Sequence, residues 1–393
     1  MLRRHDHQSD LRDGTVEIFS RADLARCSHW QRAFQGHRKD YRFYGLVEDT
    51  ILQGFEYRYF AIKDKHGAVQ AIQPFFILDQ DVLAGVGLWV SKIVAHLRRV
   101  WPRLLKMRTL MVGCVVGEGC LDGQESSYHS TAVLLGSVLL THARDMKVSL
   151  IVFKEFPARY RDQLECLRSY GFSRVPSLPM TKLNIDYPSF DAYMATALNS
   201  ATRRKLKRKF SAAAAAVAIE LMVICDVTSI IDEIFPLYLQ VYNRSKLHFE
   251  KLTPAFFCGL GRLMPEKVRF FIWRQDSRII AFTMCMVQGD TIYTEYIGLD
   301  YSLALDLHLY HYAIRDMISW AISHGYTCLR SSGLNYDPKL HLRHLLDPTD
   351  LYVRHSSKIA NFILKQFLPL MEPTRYDPIL KKFSNYAELR GSP

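Results

Sequence analysis

The stretch from Lys267 to Lys339 constrains the fold of this chain more than any other. Three apolar runs follow one another and are separated only by hairpin-sized polar pairs, which suit tight antiparallel turns. The runs are KVRFFIWRQ (267–275), RIIAFTMCMVQGD (278–290) and TIYTEYIGLD (291–300). A helical pattern over 303–324 ends at Gly325, and a short buried run, YTCLRSSG (326–333), comes next. This order predicts a mixed sheet with three antiparallel strands and one parallel strand.

The first half of the chain has the same plan. It holds a predicted strand pair at 55–64 and 68–80, a strand at 108–119, a helix at 130–147 and a buried strand at 149–157. We therefore interpret the chain as a tandem duplication of one α/β unit, with a mixed, mostly antiparallel sheet flanked by helices in each lobe. A strand at 179–187 closes the first half.

The predicted boundary lies near Asp186-Tyr187-Pro188. Residues 1–12 are polar, and we expect them to be disordered. Residues 13–186 form the predicted N-terminal lobe, and residues 187–393 form the predicted C-terminal lobe.

The composition limits the classes of protein to consider. A net charge of +12 and a pI near 9.2 favour a polyanionic partner, such as nucleic acid, a phosphorylated cofactor or an anionic membrane surface. Eight scattered cysteines without a C-x-x-C pair indicate reduced thiols rather than a disulfide framework or a zinc site. No apolar run reaches the length of a spanning helix, so we expect a cytoplasmic protein, or one peripheral at the inner membrane face.

One local pattern resembles a known family. The run LPMTKLNIDYPSFDAYMATALNSATRRKLKRKFSAA (178–213) joins a Pro-containing strand, an F-D-x-Y entry and a helix with a basic end. It resembles the tandem-GNAT acyltransferases related to the Fem peptidoglycan aminoacyltransferases. The glycine-rich run RTLMVGCVVGEG (108–119) and the segment from Gly325 through Gly333 to Lys339 are similar to that group as well. The resemblance covers about residues 40–370.

The resemblance implies an amide-forming transfer of an acyl or aminoacyl group to an amine acceptor. The co-substrate would be an acyl-CoA or other acyl thioester, or an aminoacyl-tRNA, bound in the second lobe without a metal. It also implies a donor site in a cleft between two central strands of the C-terminal lobe, which would carry the chemistry, and it places the N-terminal lobe on the acceptor side. The residues assigned to that site are Ile297, Gly298, Leu299, Ser332 and Asn335.

The segment at the position of the family's phosphate-binding turn departs from the usual pattern. A glycine-rich turn before a helix binds pyrophosphate through backbone N–H groups. This chain has DYSLALD (300–306) there, with no glycine and with two acids, Asp300 and Asp306. We expect these carboxylates to disfavour a pyrophosphate.

Glu295 is the candidate general base. Strict alternation along 291–300 places Tyr293, Glu295 and Ile297 on one face of the strand. A carboxylate among apolar residues favours proton abstraction from an amine. The alternative is a structural glutamate that is paired with a nearby Lys or Arg across the sheet.

Two further candidates follow the last strand of the second half. Tyr336 would protonate a leaving thiolate or ribose oxygen, and Lys339 would hold a phosphate or the oxyanion. The alternative is a surface turn at Asn335-Tyr336-Asp337-Pro338.

Two basic segments suggest anionic partners. The densest charge run comprises Arg203, Arg204, Lys205, Lys207, Arg208 and Lys209. It would contact tRNA phosphates, the cofactor or an anionic membrane, or else be a solvated helix face. Residues 85–106 combine an apolar stripe, two tryptophans and five cations, which is typical of an interfacial helix or of a helix packed on the sheet.

Taken together, the residues favour an N-acyltransferase with an acyl thioester donor. Two alternatives stay open. One is Fem-like transfer from aminoacyl-tRNA, and the other is a degenerate, non-catalytic binding module. The acceptor amine and the oligomeric state are not encoded in any pattern above.

Overall fold

A computed structural model describes residues 14–81, 106–216, 219–245 and 248–391. Fourteen strands form two sheets of seven strands each. The strands are β1 (Thr15–Phe19), β2 (Glu56–Lys63), β3 (Val69–Asp81), β4 (Lys106–Val112), β5 (Leu150–Pro157), β6 (Ser173–Pro176), β7 (Met180–Asn184), β8 (Ile219–Ile224), β9 (Val268–Gln275), β10 (Arg278–Gln288), β11 (Thr291–Leu299), β12 (Cys328–Ser331), β13 (Leu345–Asp347) and β14 (Thr349–His355).

Helices surround these strands. They are α1 (Arg21–Ala25), α2 (Tyr41–Thr50), α3 (Tyr128–Asp145), α4 (Arg161–Leu164), α5 (Phe190–Ala197), α6 (Ser200–Ala216), α7 (Ile231–Arg244), α8 (Pro254–Leu263), α9 (Leu309–Ser323), α10 (Tyr336–His341) and α11 (Lys358–Met371). Several begin with a side-chain cap. Thr253 caps α8, with Pro254 in the first turn, and Ser357 caps α11.

Each sheet belongs to its own compact unit. Unit 1 comprises the described parts of Met1–Gln35, Lys39–Ser177 and Pro348–Tyr376, and unit 2 those of Gly36–Arg38, Leu178–Asp347 and Asp377–Pro393. The strand order is β1-β2-β3-β4-β5-β14-β6 in unit 1 and β13-β7-β12-β11-β10-β9-β8 in unit 2. Read from β1 and from β8, the two orders correspond strand by strand. The fold is therefore mixed α/β with two units of one topology, each a mixed sheet flanked by helices, as predicted.

The predicted boundary at residues 186–187 differs from the observed division. β7, assigned to the first half from sequence, pairs antiparallel with β12 in the second sheet. β14, from the C-terminal part of the chain, pairs with β5 and β6 in the first sheet. The two units thus exchange equivalent strands, and a division at one point in the sequence cannot describe such an exchange.

Several local expectations are corrected as well. The predicted helix at 303–324 begins at Leu309, because 303–308 form turns and His308 is left-handed with φ 48°. The predicted loop around Lys339 is the short helix α10. The predictions for residues 1–12 and for the basic helix at 85–106 fall almost entirely outside the described residues. Among the described residues, no helix is both long and apolar enough to cross a bilayer.

Unit 1 fills the space beside its parallel strand pair with its own chain. β4 and β5 pair only over Thr109–Val112 and Leu150–Phe153. After Val112 the chain turns at Gly113, with φ 128°, and returns alongside β5, where the Gly119 N–H donates to the Glu155 carbonyl at 3.0 Å. Nearly all residues from 114 to 121 are buried. We call this segment, 113–121, the unit 1 plug.

Two lysines hold the unit 1 plug in place. Lys39 Nζ donates to the Val116 carbonyl at 3.0 Å, and Lys154 Nζ donates to the Gly117 carbonyl at 2.8 Å. Lys154 also forms an ion pair with Glu155 at 2.8 Å. The glycines of this run therefore serve close packing, and two of its carbonyls are bound by ammonium groups of the same unit.

Candidate active site

The second sheet opens between β11 and β12. The two strands pair in parallel only over Thr291–Thr294 and Cys328–Ser331. β11 then continues to Leu299, paired with β10 on its other side. Within the described residues, no strand pairs with the β12-facing edge of residues 295–299. Backbone N–H and C=O groups at such an edge are available to a ligand.

A β-bulge lies where the opening begins. Met284 faces Tyr296 and Cys285 faces Thr294, so Glu295 is the extra residue on β11. The bulge breaks the alternation that was predicted from sequence. Ile297 packs into the core beside α9, whereas Tyr293 and Glu295 both contact Arg38. The prediction that Ile297 shares a face with Glu295 is therefore wrong.

Glu295 forms a buried ion pair. Arg38 Nε donates to Glu295 Oε1 at 3.0 Å, and each side chain is only 8% exposed. The Arg38 guanidinium lies 3.9 Å from the centre of the Tyr293 ring, a cation–π contact. An opposite charge at this distance favours the ionised carboxylate. The ion pair matches the alternative interpretation of Glu295, although Arg38 comes from a separate segment rather than from a neighbouring strand.

A group of tyrosines surrounds a second acid on the α7 side of β11. The Tyr296 hydroxyl donates to Glu250, and the Tyr238 ring lies 6.2 Å from the Tyr296 ring. Burial and the Glu250 carboxylate raise the pKa of Tyr296 well above its usual value, so this hydroxyl keeps its proton. Tyr242 stacks on His248 with ring centres 4.6 Å apart. Polar side chains thus gather beside Glu295.

Gly298 and Leu299 line β11 beyond the bulge. A Cβ at Gly298 would lie 2.8 Å from the Tyr238 backbone nitrogen and 2.2 Å from the Phe282 ring. Glycine at this position therefore allows α7 to pack directly on the strand. Leu299 is 6% exposed and belongs to the core. At both positions, therefore, only the backbone edge of the strand could contact a ligand.

The residues after β12 form a braced turn. Lys339 Nζ donates to the carbonyls of Ser332 at 2.5 Å and Leu334 at 3.0 Å. The Tyr336 hydroxyl donates to the Pro179 carbonyl at 2.9 Å. Both side chains are 4% exposed, so the surface turn expected as their alternative is not observed. Burial lowers the pKa of Lys339 to about 7.

Asn335 and the nearby helix start complete this side of the opening. Asn335 is exposed and left-handed, with φ 48°, and its side chain lies near Tyr310 of α9. His344, fully buried close to Lys339, has its pKa lowered to about 3 by burial and then by the ammonium. These contacts assign the turn a positioning role beside the opening.

Basic side chains collect at the first turn of α9. Lys209 Nζ lies 2.8 Å from His311 Nε2. The pKa of His311 is lowered to about 4, first by burial and then by Lys209, His308 and Lys205. The N-cap residue of α9, His308, makes no capping side-chain hydrogen bond to the first turn of this 15-residue helix. A helix start with cations around it favours an anion. We call Lys205, Lys209, His308 and His311 the basic cluster.

The predicted charge run on α6 divides into three parts. Lys205 and Lys209 belong to the basic cluster. The Arg203 side chain donates to the Leu198 carbonyl at 2.5 Å and the Ala195 carbonyl at 3.1 Å, and thereby satisfies the end of α5. The remaining cations are exposed, and they are Arg204, Lys207 and Arg208.

The two acids of the segment 300–306 are not equivalent. Asp300 is 2% exposed, forms an ion pair with Arg278, and accepts the Ser302 N–H at 3.0 Å. Its charge is therefore balanced by an ion pair with Arg278. Asp306 is exposed, and the expected effect of these acids on a pyrophosphate stays a prediction.

A large cavity in unit 1 offers less chemistry. It has a volume of about 1020 Å³ and is lined by residues that include Cys27, His29 and Asp122. Asp122 accepts from the Phe34 and Ile72 N–H groups at 2.6 and 2.8 Å and pairs with His29 at 3.1 Å. Asp122 therefore stabilises the backbone segments around it. The opening in unit 2 is the better candidate site.

Sequence reasoning missed three groups of this site. Arg38 lies more than 250 positions from Glu295, so no local pattern joins them. Glu250 lies in a loop and Tyr296 in β11, and the two are 46 positions apart, so no local pattern joins them either. His311 lies one helical turn after the left-handed His308. Two histidines three residues apart at the start of a helix were the local signal that could have indicated this group.

Comparison with known proteins identifies the family. A family model described as FemAB-like, peptidoglycan biosynthesis/recognition, matches residues 89–341. The chain therefore belongs to the FemAB-like family, which confirms the resemblance stated from sequence. Curated protein sequences provide no match.

Two solved structures with a TM-score of 0.50 or more support the fold, and a third is less similar. L-PGS from Bacillus licheniformis aligns with a TM-score of 0.51 at 12% identity, over 89% of this chain and 97% of that one. FemX aligns with a TM-score of 0.50 at 12% identity, over 85% and 96%. A tandem GNAT protein from the clavulanic acid biosynthesis pathway aligns with a TM-score of 0.43 at 9% identity, over 79% and 86%. At such identities the likeness concerns the fold alone.

Proposed function

We propose that this protein is an N-acyltransferase and that the opening in unit 2 binds its donor. The observation that carries the proposal is the coincidence of three features at one end of the second sheet. These are the bulge at Glu295, the strand edge at 295–299 that no described strand pairs with, and the basic cluster at the start of α9. Together they offer a base, a binding edge and an anion site.

The donor would lie along β11 with its phosphates at the basic cluster. The acyl carrier would form backbone hydrogen bonds with the edge at Ile297–Leu299. Its anionic part would meet the N-terminus of α9, where Lys205 and Lys209 supply positive charge. The braced turn from Ser332 to Asn335 would form the other wall, held in shape by Lys339.

The reaction needs one proton transfer from the acceptor. The amine attacks the acyl carbonyl, a C–N bond forms, and the bond from the carbonyl carbon to the sulfur or oxygen of the carrier breaks. The amine loses a proton to Glu295, and the departing carrier gains one. Arg38 keeps the carboxylate ionised and fixed in place, so it acts as a positioning residue.

A second donor class is favoured by one observation. Arg204, Lys207 and Arg208 are exposed on α6, the helix that also carries Lys205 and Lys209 of the basic cluster. A tRNA backbone extending from the site would meet this surface, whereas a small thioester would not. FemAB-like membership is compatible with such a donor. The thioester remains the first proposal and aminoacyl-tRNA the second.

One binding experiment separates these proposals. Affinity for acetyl coenzyme A, a long-chain acyl coenzyme A and aminoacyl-tRNA is measured on the wild type and on two double variants, Lys205→Ala/Lys209→Ala and Arg204→Ala/Arg208→Ala. Both variants remove two cations from α6, so net charge is matched. A thioester donor should bind roughly tenfold or more weakly to the first variant only.

The other outcomes are equally definite. Weaker tRNA binding in both variants, with a steep dependence on salt, would favour the second proposal. If both variants bind every donor as tightly as the wild type does, this result would contradict a donor site at the basic cluster. If no donor stabilises or binds the wild type at all, the non-catalytic binding module becomes the better account.

A further inference from the structure

Helix α11 of unit 1 presents an apolar face to solvent. Five of its large apolar side chains are more than half exposed among the described residues. They are Ile359 (78%), Phe362 (68%), Ile363 (51%), Phe367 (53%) and Leu370 (58%). Their spacing of three, one, four and three residues places them on one side of the helix. Single exposed apolar residues are ordinary, but five on one helix face form a patch.

The orientation of α11 is fixed by contacts on its other side. Leu368 is buried there. The Asn361 side chain donates to the Gly171 carbonyl at 3.0 Å and accepts the His355 N–H at 2.8 Å. Ser357 caps the first turn. The helix is therefore anchored to unit 1, and its apolar face is held outward rather than left to rotate.

The charged residues of α11 and of the four residues before it have one sign. From residue 354 to residue 371 the sequence reads RHSSKIANFILKQFLPLM, with three cations and no Asp or Glu. Lys358 and Lys365 lie seven residues apart, on one flank of the apolar side chains. Both are exposed. A convex apolar stripe with lysines along its border is complementary to a surface that is anionic outside and apolar within.

We propose that α11 docks this protein on an anionic lipid bilayer. The phenylalanines and aliphatic side chains would enter the boundary between headgroups and acyl chains, and Lys358 and Lys365 would meet lipid phosphates. This docking surface lies in unit 1 and does not depend on the proposed transferase reaction. Docking through α11 would hold the protein at a membrane, and the opening in unit 2 would still be able to bind its own ligand.

The test uses vesicles and a control matched for exposure. Partition of the full chain is measured on phosphatidylcholine vesicles with and without phosphatidylglycerol. Phe362→Ser is compared with Leu52→Ser, since these two side chains are 68% and 66% exposed and only the first lies on α11. We expect binding to the phosphatidylglycerol vesicles, roughly tenfold weaker for Phe362→Ser and unchanged for Leu52→Ser.

The lysines supply an independent arm. Lys358→Ala/Lys365→Ala should lose most of the preference for phosphatidylglycerol, at roughly fivefold per lysine. Absence of vesicle binding, equal binding to both vesicle types, or equal effects of the two serine variants would overturn the proposal. A wild-type dimer that Phe362→Ser dissociates would assign the face to a second copy. Lower thermal stability of Phe362→Ser with unchanged vesicle binding would assign it to a segment of this chain.

Discussion

The two sheets share one strand order but differ at the end of their parallel strand pair. In unit 1, β4 stops at Val112 and the plug folds back beside β5, where two lysines bind its carbonyls. In unit 2, β11 runs on past the bulge at Glu295, and the chain after β12 turns away. The same topology therefore gives a filled space in one unit and an open one in the other.

This difference is the basis for proposing that unit 2, rather than unit 1, binds the donor. Filling the space in unit 1 takes a small-residue run that packs against Lys154 and Phe156. In unit 2 the corresponding space is open, and a carboxylate, a strand edge and a basic helix start lie at that end of the sheet. Function in this family is thus assigned by the residues that line each opening, because the fold alone is common to both.

The largest expected effect is on catalysis by Glu295. Glu295→Gln removes the proton acceptor while keeping its shape, and turnover should fall by roughly 10²–10⁴-fold. Glu155→Gln is the matched control, because Glu155 is also an ion-paired acid, beside the plug of unit 1. Steady-state kinetics with the donor identified by binding provide the measurement. An equal loss in both variants would contradict the distinction between the two openings.

The next effect concerns the pH dependence of stability. Burial lowers the pKa of Lys339 to about 7, below its value in the unfolded chain. Between these two values the unfolded state binds more protons, so stability should rise with pH from about 7 to about 10, by at most about 1.4 kcal/mol per unit. Below pH 7 the lysine is protonated in both states, and its contribution is constant.

Denaturant unfolding across this range tests the sign. The rise should disappear in Lys339→Met, because this variant lacks the buried ammonium that binds two carbonyls in the wild type. It should persist in Lys154→Met, since Lys154 has a carboxylate partner in unit 1. A wild-type stability that falls between pH 7 and 10, or a rise that survives in Lys339→Met, would show that the lysine is not buried as described.

A smaller effect probes how tightly each opening is packed. A Cβ at Gly119 of the plug would lie 2.7 Å from the Lys154 carbonyl oxygen, so Gly119→Ala should destabilise the protein by about 1–3 kcal/mol. Gly333→Ala beside the opening of unit 2 meets nothing closer than 3.3 Å and should cost less. Thermal unfolding compares the two. A greater cost at Gly333 would reverse the assignment of the filled and open spaces.

The smallest effect separates the two acids of segment 300–306. Asp306→Asn removes an exposed carboxylate near the start of α9 and should tighten donor binding about two- to fivefold. Asp300 is ion-paired with Arg278, so its charge should not weaken binding, and Asp300→Asn should lower stability instead. Titration calorimetry and thermal unfolding report the two outcomes. Equal gains in affinity would contradict the internal compensation of Asp300.

Much of the fold followed from periodicity and turn residues, because these patterns are local. The hairpins around Asp276 and Gly289, the helix that becomes α9 and the duplication itself were all predicted. The exchange of β7 and β14 was not, because strand pairing between distant segments leaves no local mark. Alternation also failed after Glu295, since a bulge adds one residue without changing composition.

The candidate site was only partly predictable for a similar reason. Glu295 was found because it is an acid in an apolar strand. Its partner Arg38 lies in a short segment that joins unit 2 from elsewhere in the chain. Tyr336 was predicted to protonate a leaving group and Lys339 to hold a phosphate or the oxyanion, and both roles stay predictions. Their hydroxyl and ammonium groups also bind carbonyls of the same unit, and only the folded turn reveals these contacts.

Hydrogen–deuterium exchange with and without donor tests the central claim most directly, because it reports on both openings in one experiment. The full chain is measured alone, with acetyl coenzyme A and with aminoacyl-tRNA. The account predicts that the donor protects backbone amides of residues 295–311 and leaves the plug at 113–121 unchanged. Protection of the plug, with no change along 295–311, would contradict it.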